Sequence, residues 1–375
     1  MKDGKFITLG IETSCDETAA AVTADGRETL SNVIASQIDV HKVFGGVVPE
    51  IASRHHLTQI NAVMDSALSE AGVSWEDIDL VGATYGPGLV GAVLIGLSTA
   101  KAAAYAAAKP FAAVHHIKGH VCASYLSTAS PGVPARGLAD ADAVDLASAG
   151  RSLPEDEGGA AVAAMPTIEP PHLALVVSGG HTDLIDVRSY TDYVLLGHTR
   201  DDAVGEAFDK VARSLGLGYP GGPKVDELAK NGDPTAVKFK RVYLEEGSLD
   251  FSFSGIKTGV LNYINTERQA GREVNLADVA AGFEASATDV IETKTRLALR
   301  RAGRKKLTMG GGVAANSMLR SRIAAVCMEE RVELYAPPPV YCTDNAAMIA
   351  CAAYYQYLCE GSSSLDIDAY ASLPL

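Results

Sequence analysis

The stretch Leu173-Ala174-Leu175-Val176-Val177-Ser178-Gly179-Gly180-His181-Thr182-Asp183-Leu184-Ile185-Asp186-Val187 decides the fold. An apolar run of strand length, Leu173 to Val177, meets a tight polar turn, Ser178 to Thr182, and a second run returns from it. Length and glycine punctuation predict a hairpin of buried strands. Two glycines in its turn would let an anionic group approach backbone N–H groups closely. The same plan stands earlier, where Phe6 to Glu12 turns through Thr13-Ser14-Cys15-Asp16-Glu17-Thr18 into Ala19-Ala20-Ala21-Val22. A third version is Lys306-Leu307-Thr308-Met309, then Gly310-Gly311-Gly312, then Val313-Ala314-Ala315-Asn316 opening a helix. The first N–H groups of such a helix favour negative charge. Two hairpin loops and a late glycine turn predict two similar halves facing a nucleotide cleft.

The rest of the chain fits that plan. Its 375 residues exceed one ordinary core and predict two domains. A hydrophobic share of 47% with 21% charged residues excludes a wholly disordered chain. A net charge of −14 does not advertise nucleic acid, although it leaves room for a local basic groove. The six cysteines form no C-x-x-C pair and staple nothing in a chain this large, which fits a reducing compartment. The N-terminal apolar stretch reaches Glu12 and Asp16 too soon for a signal peptide. The uncharged run from Val81 to Ala100 is long enough to raise the membrane question. Pro87 and Gly82, Gly86, Gly88, Gly91 and Gly96 instead predict a buried strand, a glycine turn and a buried helix. A cytoplasmic protein with no membrane partner is expected.

Residues 127–171 differ in kind: six prolines, no aromatics, and seven acids against Arg136 and Arg151. Such a composition buries too little apolar surface to offset ordering, and predicts a mobile insertion, with a cryptic interaction helix as the alternative. Helices are expected at 57–70, 91–108, 202–215, 277–302 and 345–358, the last small, apolar and buried.

His116 and His120 are four apart, so on a helix both imidazoles share one face and can ligate one metal ion. The best third ligand is Asp344, delivered by a proline-stiffened segment just before the apolar helix; its alternative role is to cap that helix. Two histidines and one carboxylate leave positions open for a substrate. A zinc peptidase of the H-E-x-x-H type needs a glutamate where Ile117 stands, which disfavours that chemistry. Nor does Val176-Val177-Ser178-Gly179-Gly180 match the G-x-S-x-G nucleophile elbow. Asp202, Glu206, Asp209 and Arg213 form one polar helical stripe, from which Asp209 could accept a ligand's hydroxyls. Tyr219-Pro220-Gly221-Gly222-Pro223 reads as a rigid loop. Asp16 and Glu17 suit a general base or a metal-linked role better than phosphate contact.

Together these motifs resemble the tRNA N6-adenosine threonylcarbamoyltransferase catalytic subunits, a family once misnamed a sialoglycoprotein endopeptidase. The resemblance rests on Gly10-Ile11-Glu12-Thr13-Ser14-Cys15-Asp16-Glu17-Thr18, Gly45-Gly46-Val47-Val48-Pro49-Glu50, His116-Ile117-Lys118-Gly119-His120 and Val177-Ser178-Gly179-Gly180-His181-Thr182. Further along come Gly205-Glu206-Ala207-Phe208-Asp209-Lys210, Asp250-Phe251-Ser252-Phe253-Ser254-Gly255, Gly310-Gly311-Gly312-Val313-Ala314-Ala315-Asn316 and Cys342-Thr343-Asp344-Asn345, all in family order.

The resemblance implies a two-lobed α/β fold of the actin-like ATPase class, close to sugar kinases and heat-shock ATPases, with a nucleotide cleft between lobes. One lobe would comprise residues 1–115 with 345–375, the other 116–344, with 127–171 inserted in the second. It implies transfer of threonylcarbamoyl from threonylcarbamoyl-AMP to N6 of adenosine 37 in tRNAs reading ANN codons. His116, His120 and Asp344 would hold one divalent metal ion, iron first and zinc second. Val176, Val177, Ser178, Gly179, Gly180, Asp209, Gly222, Asp226 and Asn316 would line the adenylate pocket. Asp16 or Glu17 would take the N6 proton. The family's partners are tRNA, a catalytically silent paralogue in a heterodimer and a small ATPase. Lys118 stands where the family often has an acid or a small polar residue, and the 127–171 segment departs from the bacterial pattern. Two basic clusters, Arg300-Arg301 with Arg304-Lys305-Lys306 and Lys238 with Lys240-Arg241, are candidates for tRNA phosphates. A small-molecule kinase on the same fold and a non-catalytic scaffold are the competing functions.

Overall fold

The structure is a computed structural model that describes residues 2–128, 136–137 and 168–375. Most of the predicted insertion therefore lies outside the described residues. The first sheet contains β1 (Ile7–Glu12), β2 (Glu17–Ala24), β3 (Glu28–Ser36), β4 (Leu80–Gly86) and β5 (Phe111–His115), with the two-residue β6 (Ser127–Thr128) and β7 (Arg136–Gly137) on β3. The second contains β8 (His172–Val177), β9 (Thr182–Val187), β10 (Tyr193–His198), β11 (Lys306–Gly310) and β12 (Glu333–Tyr335).

The two sheets share one strand order. In the first it runs β5-β4-β1-β2-β3, in the second β12-β11-β8-β9-β10. Each begins with an antiparallel hairpin, β1 with β2 and β8 with β9, and continues antiparallel into a third strand. Each then adds two parallel strands on the other side of its first strand. Parallel neighbours need crossovers, and helices supply them. Pro49–Glu70 and Val90–Ala106 serve the first sheet, while Val204–Ser214, Gly221–Ala229, Ser254–Gln269, Leu276–Ala302 and Ser317–Glu330 serve the second. This doubled plan is the two-lobed α/β fold of actin-like ATPases and sugar kinases. Both expected hairpins are present. The late glycine turn also forms, with a short 3-10 turn, Gly312–Ala315, before the helix that Asn316 caps.

Each lobe closes around its own apolar core. Leu9, Ile11, Ile60, Val63, Val81 and Leu97 fill the first, and Leu175, Val177, Phe208, Phe251, Phe283 and Leu307 the second. The helix Ala346–Glu360 lies on the far side of the first sheet, as buried as its composition predicts. Its small residues match two strand glycines. A Cβ on Gly10 would lie 2.4 Å from the Ala346 carbonyl oxygen, and one on Gly82 would lie 2.3 Å from the Ala353 Cβ. Side chains at either strand position would force helix and sheet apart, at a cost of about 1–3 kcal/mol.

Some boundaries differ from expectation. The helix expected to begin at Leu57 starts at Pro49, where a missing N–H costs nothing in the first turn. Gly221-Gly222, expected in a rigid loop, opens the helix Gly221–Ala229, and Ser254–Gln269 was not anticipated. Among the described residues no helix is long and apolar enough to cross a membrane.

Candidate functional site

The helix His116–Cys122 follows β5 directly. His115 ends the strand and caps the helix, its Nδ1 accepting from the Ile117 N–H at 3.2 Å. Glycine seats this helix on both sides. A Cβ on Gly119 would lie 2.6 Å from Ile349 Cδ1, and one on Gly310 would lie 2.5 Å from the His120 carbonyl oxygen. The rings of His116 and His120 lie one turn apart and meet edge to face, with centroids 4.6 Å from each other.

Asp344 meets them from the other end of the chain. Asn345, rather than Asp344, caps the buried C-terminal helix, accepting from the Met348 N–H at 3.0 Å. That leaves the Asp344 carboxylate free of capping duty. Its Oδ1 stands 3.2 Å from His120 Nε2 and 3.6 Å from His116 Nε2. One donor atom from each of the three lies within 4.8 Å of the others. His120 is fully buried, and neither of its ring nitrogens makes a hydrogen bond. Two imidazole nitrogens and a carboxylate oxygen converging in a dry site fit a metal ion as their common partner.

Glu12, fully buried at the end of β1, was missed as a functional residue. Its Oε2 lies 3.0 Å from His116 Nδ1 and accepts from Thr84 Oγ1 at 2.6 Å. Burial works against charge on His116, but Glu12 and Asp344 outweigh it and raise the imidazole to about 9. Burial likewise works to raise Asp344, while His116 and His120 hold it below the ordinary carboxylate range. His181 stands 6.5 Å from His116, centroid to centroid. Burial, with His116 and His120 adding to it, lowers its imidazole to about 3 and keeps it neutral. Lys118 turns away from the histidine face and sits over the Tyr193 ring at 5.0 Å.

Asp16 ends the turn between β1 and β2, and Glu17 opens β2. His56 braces that turn, with Nε2 3.0 Å from the Cys15 carbonyl oxygen and Nδ1 2.7 Å from Thr18 Oγ1. Asp16 accepts from Tyr219 Oη at 3.2 Å, a contact that bridges the lobes. Arg213 makes a second bridge, donating to the Gly45 carbonyl. Burial, then Asp16 and Asp344, raise the Glu17 carboxyl well above its ordinary range.

The other predicted site residues form one connected wall. Val176 and Val177 bury their side chains in packed cores, so only their backbone can serve a ligand. The Ser178–His181 turn is closed by Ser178 N–H donating to the His181 carbonyl at 2.8 Å and His181 N–H donating to Ser178 Oγ at 3.1 Å. Gly205 presses on this turn, and Asp209, one turn along the same helix, accepts from the Gly221 N–H at 2.7 Å. Burial raises the Asp209 carboxyl. Gly222 and Asp226 follow on the next helix, and Asp226 accepts from Asn316 Nδ2 at 3.2 Å. A Cβ on Gly179, Gly180 or Gly222 would meet no protein atom within 4 Å, and none of the three has a left-handed φ. Neither packing nor backbone conformation demands glycine there, and the open space leaves the backbone accessible.

The basic clusters divide. Arg300 is paired with Glu330, Arg304 with Asp186 and Arg241 with Asp289. Among the described residues Arg301, Lys305, Lys238 and Lys240 are exposed and carry no ion pair, so each cluster keeps free cations.

The family model for tRNA N6-adenosine threonylcarbamoyltransferase matches residues 28–146 and 157–351. Only residues 147–156 of the 127–171 segment fall outside it. The tRNA N6-adenosine threonylcarbamoyltransferase of Moorella thermoacetica is 49% identical over 367 residues, covering 98% of this chain and 96% of the relative. That of Clostridium beijerinckii is 47% identical over 371 residues, covering 99% and 98%. Among solved structures, HypF of T. kodakarensis superposes with a TM-score of 0.57 at 14% identity, covering 97% of this chain and 49% of that one. At that identity the likeness speaks for the fold alone. Full-length likeness to the two transferases, with the family model spanning most of the chain, makes it a member of the tRNA N6-adenosine threonylcarbamoyltransferase family.

Proposed function

We propose that this protein transfers threonylcarbamoyl from threonylcarbamoyl-AMP to N6 of adenosine 37 in tRNAs reading ANN codons, forming N6-threonylcarbamoyladenosine and releasing AMP. The observation that carries this reading is the convergence of His116, His120 and Asp344 in a chain of this family. A divalent metal ion on those three residues, iron first and zinc second, would supply Lewis acidity to the carbamoyl carbonyl or the adenylate phosphate.

The chain's own groups account for the rest. The N6 amine is a weak nucleophile because its lone pair is delocalised into the purine. Reaction therefore needs a base for the N6 proton and a stabilised leaving phosphate. Asp16, which accepts from Tyr219 across the cleft, is the proposed base, and Glu17, whose carboxyl burial and Asp16 raise well above the ordinary range, is the alternative. Backbone N–H groups of the turn at Gly179 and Gly180 would neutralise the phosphate of departing AMP. Gly222 would leave space for the nucleoside, and Asp209 would accept its hydroxyls.

Lys238, Lys240, Arg301 and Lys305, free of ion pairs among the described residues, are better placed for tRNA phosphates than the paired Arg300 and Arg304. A silent paralogue would dock on the outer face of Pro49–Glu70 and Val90–Ala106, where Leu57, Val90 and Leu94 are exposed. A small ATPase would complete the assembly in the cytoplasm. The test is nucleoside mass spectrometry of unmodified tRNA incubated with the protein, its partners and synthetic threonylcarbamoyl-AMP, with His116→Ala beside it. Modified adenosine from the intact protein alone is expected. No product from metal-loaded, tRNA-bound protein would overturn the reading in favour of a scaffold or a kinase.

A further inference from the structure

The side chain of Asn316 is fully engaged within the protein. Its Oδ1 accepts from the Leu319 N–H at 2.8 Å as the cap of Ser317–Glu330. Its Nδ2 donates to Asp226 Oδ1 at 3.2 Å and also to Glu284 Oε1. Both amide hydrogens are thereby spent, so Asn316 has no donor left for a ligand. Asp226 is held as firmly, accepting from Ser317 N–H at 3.2 Å and from Ser317 Oγ at 2.6 Å. Behind both stands Glu284, 2% exposed on Leu276–Ala302, its carboxyl sharing the Asn316 Nδ2 donor with that of Asp226.

Two carboxyls in contact inside a protein are stable when one carries a proton. The charged neighbours here are Asp226 and Lys230, the latter exposed and 3.9 Å from Asp226 Oδ2. Burial raises the Glu284 carboxyl to about 7; Asp226 adds to the rise, while Asn316 and Lys230 oppose it.

We propose that Glu284 is a positioning residue of the nucleotide wall: as a neutral acid it accepts from Asn316 and donates to Asp226, fixing the two side chains that flank the pocket. This rests on the nucleotide-pocket reading above. Loss of the Glu284 proton sets two carboxylates against each other and loosens Asp226 from Ser317. Nucleotide affinity then falls as the pH rises through neutrality.

AMP binding to the full chain, measured by calorimetry from pH 6 to 8.5, tests this with wild type, Glu284→Gln and Glu284→Ala. Glutamine accepts and donates as the neutral acid does but cannot titrate. Wild-type affinity should fall about five- to tenfold across the range, the effect of roughly one lost hydrogen bond. Glu284→Gln should hold its pH 6 affinity throughout, and Glu284→Ala should bind weakly at every pH. Parallel pH profiles for wild type and Glu284→Gln would overturn the assignment, and that comparison stands even if Glu284→Ala does not fold. Absence of AMP binding by wild type at every pH would overturn the pocket reading itself, a different result from binding that ignores Glu284.

Discussion

His116 Nδ1 lies 3.0 Å from Glu12 Oε2, so the first strand of the chain orients an imidazole that arrives more than a hundred residues later. With Nδ1–H donated to this carboxylate, Nε2 faces Asp344 and His120 and is the nitrogen that would exchange its proton for a metal ion. Partners of this kind fix both the tautomer and the orientation of a metal-ligating histidine. Glu12→Gln should lower metal affinity about 10- to 100-fold, read by competition with a chelator, without loss of helical content by circular dichroism. Unaltered affinity would confine Glu12 to packing.

Glycines of two kinds should respond oppositely to alanine. Gly222→Ala adds a Cβ that touches no protein atom, at a helical position with an ordinary φ, so thermal stability should hold or rise by about 0.5–1 kcal/mol. AMP binding should nevertheless weaken, because the same Cβ enters the proposed pocket. Gly311→Ala should destabilise strongly, since its φ is 90° and a Cβ would lie 2.4 Å from the Val177 carbonyl oxygen. Thermal melts paired with AMP titrations separate the two. Unimpaired AMP binding by folded Gly222→Ala would remove Gly222 from the pocket.

Asp183 offers a pH test of stability away from the metal ligands. Its carboxyl sits in the interior with no charged partner among the described residues, and burial alone raises it to about 7. The folded state therefore binds the proton more tightly than the unfolded chain does. Wild type and Asp183→Asn should be similarly stable below about pH 4, and wild type should lose ground as the pH rises from there to about 7, levelling off above it. At pH 8 the asparagine variant should be the more stable by on the order of 3 kcal/mol, measured by denaturant titration. A pH-independent difference would mean that Asp183 is ionised in the fold.

The two acids at the first turn should separate in kinetics. Asp16→Asn should slow single-turnover transfer by about 10²- to 10⁴-fold, the usual scale for a lost general base. Glu17→Gln, which leaves Asp16 in place, should slow it far less. Filter binding of tRNA checks that either effect lies in chemistry. Full transfer by Asp16→Asn would assign the proton elsewhere.

What the sequence disclosed was chiefly what is local. The turn at Gly179-Gly180 and the i, i+4 histidines depend on neighbours a few residues away, and the structure contains both. Whether Asp344 or Asn345 caps the last helix turns on which of two adjacent side chains reaches the Met348 N–H, and residue type alone leaves that open. Glu12 and Glu284 act through space, on His116 and Asn316, at separations no periodicity records. A charged residue closing the apolar strand β1 was the available signal for Glu12. Pro49 was overlooked as a helix start because Glu50, Ser53 and Arg54 interrupt the apolar pattern that marks the helix from Leu57 onward.

The wide separation of Asp344 from His116 and His120 along the chain also sets an order of assembly. During synthesis the two histidines emerge with the first half of the protein, while their carboxylate partner leaves the ribosome near the end. A chain interrupted before residue 344 would carry two buried imidazoles and no third ligand, and it would lack the alanine-rich helix that closes over Gly10 and Gly82. A metal ion held by all three residues would thus report on completion of the polypeptide, because only a molecule whose last helix has docked brings Asp344 to the two histidines.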